Sequence, residues 1–243
     1  MKIAITFWGT QSYLDYLPEW YERLEKYFLP DVDKTYFVFT DGELDGKPDN
    51  LNVVKIPHYG FPETFHKTFE EILKIKNLIS EYDWLVSVDA DLYAQEKISL
   101  NDFFDKDKKY FGVHHPCHFV GFPPHNQKPG AYDTNPLSNA CINDSIMDMK
   151  IYYQGCLWGG QIPQVFDMMK KIDEWTKEDV SRNSVGKYYE ESYLNKWFLT
   201  HREDVNTLDP DYAYPEMFKD YCNFSNKMMH LSKDNKSLDN NQW

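Results

Sequence analysis

Basic residues are scarce in this chain. Twenty-six Lys and Arg stand against 39 Asp and Glu, for a formal net charge of −13. That balance excludes a nucleic-acid binder, which needs a basic footprint, and a peripheral binder of anionic membranes. An anionic ligand would need local help from a metal or a few well-placed cations. Long apolar runs are also missing, and none approaches the roughly 20 residues that span a bilayer. The opening MKIAITFWG reads as the start of a strand and not as a signal peptide. Cysteine is sparse: Cys117, Cys141, Cys156 and Cys222 form no CxxC pair. They read as reduced thiols of a cytoplasmic protein, without a disulfide framework or a zinc site. There is no GxGxxG and no GxxxxGK[ST], so dinucleotide-enzyme and P-loop readings lack their motif.

The 243 residues that are present suffice for one large α/β domain or two small ones. The aromatic share of 17% supplies a core and leaves rings over for flat ligands. Strands are expected at Ile3–Trp8, Thr35–Thr40, Asn52–Ile56 and Trp84–Val88. Between them lie a helix capped by Ser12 and stopped at Pro30, and a helix over Glu63–Ser80. This β-α-β-β-α-β order is that of a nucleotide-binding α/β half with parallel strands. Further on, Ser99–Phe104 reads as a short helix, Tyr110–His114 and Ile151–Trp158 as strands, Val165–Thr176 and Lys187–His201 as helices, and Val205–Leu208 as a strand. Pro116–Asp148 is rich in Pro, Asn, Gly, Asp and His, and reads as one long irregular loop. After Tyr221 the chain turns polar and is expected to be mobile.

The stretch YDWLVSVDADLY organises the rest. Asp89 and Asp91 follow a buried strand at its carboxyl end, where open α/β sheets bind ligands. Two hard oxygen ligands at that spot suit Mg²⁺ or Mn²⁺ on a diphosphate. A DxD standing alone also reads as two acids opening a turn.

Two other stretches, IYYQGCLWGGQIPQV (Ile151–Val165) and YYEESYLNKWFL (Tyr188–Leu199), join it. Together the three resemble glycosyltransferase family 6, from about Ile3 to about Lys236, and most specifically in YYxGxxxGG followed by the E-E-S-x-L-N-K-W-F run. The resemblance implies a GT-A fold in one catalytic domain: a Rossmann-like nucleotide-binding half at 1–93, an acceptor and catalytic half at 94–221, and a tail at 222–243. It also implies retaining, metal-dependent transfer of GalNAc or Gal from UDP-GalNAc or UDP-Gal, in α-1,3 linkage, to a β-galactoside-type acceptor.

By the same resemblance, Asp89 and Asp91 hold Mn²⁺ or Mg²⁺, with Asp89 near the ribose, and Glu191 is the catalytic glutamate. A carboxylate there acts as nucleophile or stabilises an oxocarbenium-like cation. Glu190, Gln154, Gly155 and Cys156 fall on donor-sugar positions, where Gln154 is polar and the blood-group enzymes have Leu or Met. Tyr153 shares that strand, and Gly159-Gly160 matches a double glycine that permits close backbone approach. Phe7, Trp8, Gly9 and Tyr13 correspond to first-strand residues that stack on and bond uracil, with Thr40 and Asp41 at the same edge. His66 or Lys67 stands where the family places an arginine toward the phosphates, and Lys236, or else Lys233, matches a tail lysine on the diphosphate. Tyr188 and His115 are the acceptor-side candidates, with His114 and His118 nearby. A zinc site at these histidines is not expected, because no acid or Cys completes the set. Two rivals share much of the pattern. One is a retaining UDP-sugar transferase of another GT-A family, which would lack the Glu191 helix motif. The other is a carbohydrate-binding protein that has kept the fold without the chemistry.

Overall fold

The computed structural model describes residues 1–120, 132–143, 145–146 and 151–232. The first half is the expected α/β arrangement. Strands β1 (Lys2–Trp8), β2 (Asp33–Thr40), β3 (Leu51–Lys55) and β4 (Trp84–Val88) lie parallel in the order β3-β2-β1-β4. Side chains alternate across the sheet. Ile3, Ile5 and Phe7 join the core on one face, with Val38, Trp84 and Val86, while Ala4, Phe37, Phe39 and Leu85 join the core on the other. Both faces are covered, which is why these strands read as continuous apolar runs.

Two helix boundaries differ from expectation. Residues Gln11–Tyr16 form a 3₁₀ turn, and α1 (Leu17–Tyr27) begins only at Leu17, so Ser12 is not its cap. Pro18 fixes that start, since a proline in the first turn gives up only an N–H that has no intrahelical partner there. The helix expected over Glu63–Ser80 is broken at Ile75 (φ −101°, ψ 13°) into α2 (Glu63–Lys74) and α3 (Lys76–Ile79).

The second half completes a seven-stranded mixed sheet of order β3-β2-β1-β4-β7-β6-β8. Its further elements are β5 (Leu92–Ala94), α4 (Leu100–Phe103), β6 (Tyr110–His114), α5 (Pro116–Val120), β7 (Tyr153–Gln161), α6 (Gln164–Ser181), α7 (Tyr189–Thr200), β8 (Val205–Leu208), β9 (Tyr214–Pro215) and β10 (Met228–His230). β7 runs antiparallel between β4 and β6. Gly159 and Gly160 make that insertion possible. A Cβ on Gly159 would lie 2.1 Å from the Leu85 carbonyl oxygen, and one on Gly160 would lie 2.8 Å from that of Lys109. The close approach these glycines permit is therefore between strands.

Two stretches expected to be irregular are ordered where described. In the Pro116–Asp148 segment the first residues form α5, and Tyr132, Ala140 and Ile142 are buried. The buried Asp179 of α6 accepts hydrogen bonds there from Ser138 Oγ and the Asn139 N–H, and also from Tyr193. The start of the polar tail forms β10, which pairs antiparallel with β5 and parallel with β9. Among the described residues no helix is long and apolar enough to cross a membrane.

Candidate active site

The turn after β4 is held from three sides. The Asp89 N–H donates to the Cys156 carbonyl on β7 (2.9 Å), and the Asp89 carbonyl accepts from the Trp20 indole of α1 (3.0 Å) and from the Leu92 N–H. Asp89 is exposed, whereas Asp91 is 2% exposed. β10 then brings a third group alongside. His230 pairs with Leu92, the Leu231 N–H donates to the Asp91 carbonyl (2.9 Å), and His230 Nε2 stands 3.4 Å from Asp91 Oδ1. One ligand atom each from Asp89, Asp91 and His230 lies within 4.8 Å of the other two. Neighbouring ligands of an octahedral Mg²⁺-sized ion sit about 3 Å apart. The trio therefore fits a divalent cation after small side-chain adjustments, and the exposure of Asp89 leaves one side of it open.

β7 supplies the floor. Its register against β6 jumps between Gly112, paired with Trp158, and Val113, paired with Gln154. Residues 155–157 thus have no partner on β6 and are held instead by the β4 side, where Val88 pairs with Leu157. Gly155 lies under α7, and a Cβ there would stand 3.4 Å from Glu191 Cβ and 3.6 Å from Glu190 Oε1. Asn195, fully buried, ties α7 to this strand. Its Oδ1 accepts from the Tyr153 N–H (2.8 Å), and its Nδ2 donates to the carbonyls of Tyr153 (2.7 Å) and Glu191 (2.9 Å).

That docking puts both oxygens of Glu191 in use. Oε1 accepts from the Tyr152 hydroxyl at 2.6 Å, and Oε2 accepts from the Gly155 N–H at 2.8 Å. Burial pushes the Glu191 carboxyl above its ordinary value, and the Tyr152 and Gly155 donors and the nearby His230 offset part of that rise. The Cys156 thiol is driven well up, first by burial and then by Asp89, Asp91 and Glu191, which places it between the two carboxylate groups. At 3% exposed, Cys156 lies beneath the floor and not on it. Behind Tyr152 stands a group of neutral histidines. His118 stacks on the Tyr152 ring at 4.5 Å, and burial lowers His118 to about 4 and His115 to about 3.

Other expected site residues take different positions. Phe7 is fully buried with its ring on the edge of Trp20, so that ring has no face for a base. Trp8 is half-buried, stacked on Phe39 and bonded to Thr64. Gly9 lies within 3.0 Å of the Tyr13 carbonyl, measured from where its Cβ would be, and Tyr13 is half-buried beside Tyr16. The hydroxyl of the buried Thr40 accepts from the Gly42 N–H, and Asp41 accepts from the Gln11 N–H, so both shape the loop at this edge. Lys67 does not extend toward the carboxylates. It pairs with Glu70 at 3.1 Å, which also holds Lys177 of α6. His66 instead neighbours Tyr189 at the start of α7. Tyr153 turns away to pack on Phe198, as alternation along the strand requires once Tyr152 faces Glu191. His115 engages the Cys117 N–H through Nδ1, whereas Tyr188 is 41% exposed at the start of α7. Lys233 and Lys236 lie outside the described residues.

Comparison with known proteins gives a consistent set of relatives. The sequence model of glycosyltransferase family 6 matches residues 1–240. An O-antigen biosynthesis glycosyltransferase, WbnI, of Escherichia coli is 26% identical over 220 residues, covering 90% of each chain. Histo-blood group ABO system transferase 2 of Rattus norvegicus is 23% identical over 239 residues, 95% of this chain and 68% of that one. Globoside alpha-1,3-N-acetylgalactosaminyltransferase 1 of Gallus gallus is 24% identical over 225 residues, 89% of this chain and 62% of that one.

Proposed function

The chain belongs to glycosyltransferase family 6, and from that premise we propose that it is a metal-dependent, retaining transferase. In this reading it moves GalNAc or Gal from a UDP-sugar, in α-1,3 linkage, to a β-galactoside-type acceptor. The observation that carries the reading is the convergence of the Asp89, Asp91 and His230 trio with Glu191 across the floor of β7. One imidazole among two carboxylates favours Mn²⁺ over Mg²⁺, since nitrogen ligands rank the later transition ions higher. When bound, the ion neutralises charge developing on the departing diphosphate.

The protein groups do the rest. Glu191 faces the donor sugar in this reading with both oxygens accepting hydrogen bonds, so its charge is oriented and part of the rise in pKa that burial causes is offset. That suits it to steady positive charge at the anomeric carbon as the bond to UDP breaks. Glu190, beside Gly155, takes sugar hydroxyls. The exposed ring of Tyr188 offers an apolar face to an acceptor sugar.

The test is UDP release from UDP-GalNAc and UDP-Gal, with and without a β-galactoside acceptor, before and after EDTA. The expected result is release that stops with EDTA and returns with Mn²⁺. An EDTA-treated enzyme that keeps its rate refutes the metal assignment. Absence of transfer from either donor to any β-galactoside refutes the substrate assignment.

A further inference from the structure

Gln154 sits at one of the donor-sugar positions named above. Its side chain, however, reaches toward the metal trio: Nε2 lies 3.2 Å from His230 Nδ1. The other ring nitrogen, Nε2, faces Asp91 Oδ1 at 3.4 Å. The imidazole is thus held between a residue of β7 and a residue of the metal turn. Its own backbone is fixed by the β10–β5 pairing, so ring rotation is its main remaining freedom.

A histidine that ligates an ion through Nε2 must present a lone pair there, and Nδ1 then carries the proton and needs an acceptor. When no ion is bound, Nε2–H can donate to Asp91, and Nδ1 then needs a donor. A glutamine amide meets both needs. Its NH₂ and its oxygen exchange places by a half-turn about the last side-chain torsion, and the two atoms are of nearly equal size. As placed, the NH₂ faces Nδ1, while the amide oxygen Oε1 is buried with no hydrogen-bond partner among the described residues. The half-turn puts that oxygen against Nδ1–H. A leucine or methionine at this position could do neither, which gives a physical reason for a polar residue here.

We propose that Gln154 is a positioning residue of the metal site: its amide orients His230 so that Nε2 joins Asp89 and Asp91 as a third ligand, linking the donor-sugar strand to metal affinity. The proposal rests on the reading that Asp89 and Asp91 hold a divalent ion.

The test is Mn²⁺ affinity of the full chain without donor or acceptor, read by electron paramagnetic resonance of free Mn²⁺. The proteins are wild type, Asp91→Asn, His230→Ala, Gln154→Leu and Gln154→Glu, with the two Gln154 variants made also in the His230→Ala background, each checked for an unchanged denaturation midpoint. Loss of a partner to a metal-bound histidine typically weakens affinity about 10- to 100-fold. Gln154→Leu is expected in that range and His230→Ala at least as weak, with Gln154→Leu adding nothing in the His230→Ala background. Gln154→Glu, which keeps the acceptor, restores affinity when His230 is present and not when it is absent. Wild-type affinity in Gln154→Leu, alongside weakened His230→Ala, overturns the role of Gln154 and leaves the metal site standing. Equal effects of Gln154→Leu in both backgrounds also overturn it. Wild-type affinity in Asp91→Asn would instead sink the metal reading itself.

Discussion

Replacing Asn195 by leucine changes the side-chain shape little and removes three hydrogen bonds, of 2.8, 2.7 and 2.9 Å, from a fully buried site. Each such bond contributes about 1 kcal/mol net, so the direct loss is about 3 kcal/mol. The Tyr153 N–H and carbonyl face α7 rather than a neighbouring strand, and burying them unpaired adds on the order of 1 kcal/mol or more for each. The expected destabilisation is therefore about 3–5 kcal/mol, a large share of the 5–15 kcal/mol that holds a typical protein folded. Urea denaturation measures it as a lower midpoint at unchanged slope. In a chain of this size the melting temperature should fall on the order of 10 °C. The protein that remains folded should also lose activity by tenfold or more, because the same amide fixes the Glu191 carbonyl and hence the Gly155–Glu191 contact. A loss of stability below about 1 kcal/mol would refute this account, since it would mean that water or relaxation satisfies those backbone groups.

Tyr152→Phe removes the 2.6 Å donor to Glu191. A hydrogen bond to a charged group is worth about 1.5–3 kcal/mol, so activity should fall roughly 10- to 100-fold. That donor also holds the Glu191 carboxyl down against burial. Without it the carboxylate form is harder to reach, and the acid limb of the pH–rate profile moves to higher pH; an unmoved limb would argue against Glu191 acting as a carboxylate. Gly159→Ala places a Cβ 2.1 Å from the Leu85 carbonyl oxygen and 2.6 Å from the Phe111 ring, and should abolish soluble expression; a folded Gly159→Ala protein would contradict the packing described. Lys67→Ala should leave donor KM unchanged within about twofold, because Lys67 serves Glu70 and α6; a tenfold rise would restore it to the phosphate site.

The α/β class and most element positions were legible because local chemistry decides them. The Trp84–Val88 strand, closed by Asp89, has residues suited to burial on both faces, and no tertiary contact had to override that preference. Ile75 shows the opposite case. The apolar periodicity runs through it, and the helix breaks there anyway. Within the candidate site, Glu191 and the DxD pair stand out as charged residues in unusual settings. Tyr152 does not, because in a run of two tyrosines only the pleat decides which one faces the glutamate. His230 leaves still less trace. It is one histidine in a polar stretch, and its meaning comes from a strand pairing across most of the chain. The loop and the tail looked irregular because composition does not register partners such as Asp179 and β5.

The pairing of β10 with β5 also has a temporal side. On the ribosome, Asp89 and Asp91 emerge and can fold with the parallel strands long before His230 is made. β10 draws its partners from β5, made early, and β9, made late, and it arrives last among the described elements. Until then the nascent protein presents two acids and no imidazole, with Gln154 facing open space where the ring will sit. The candidate site is in this sense completed by the end of the described chain: the seven-stranded sheet draws no strand from beyond Leu208, whereas β10, from Met228, supplies the corner that closes the site.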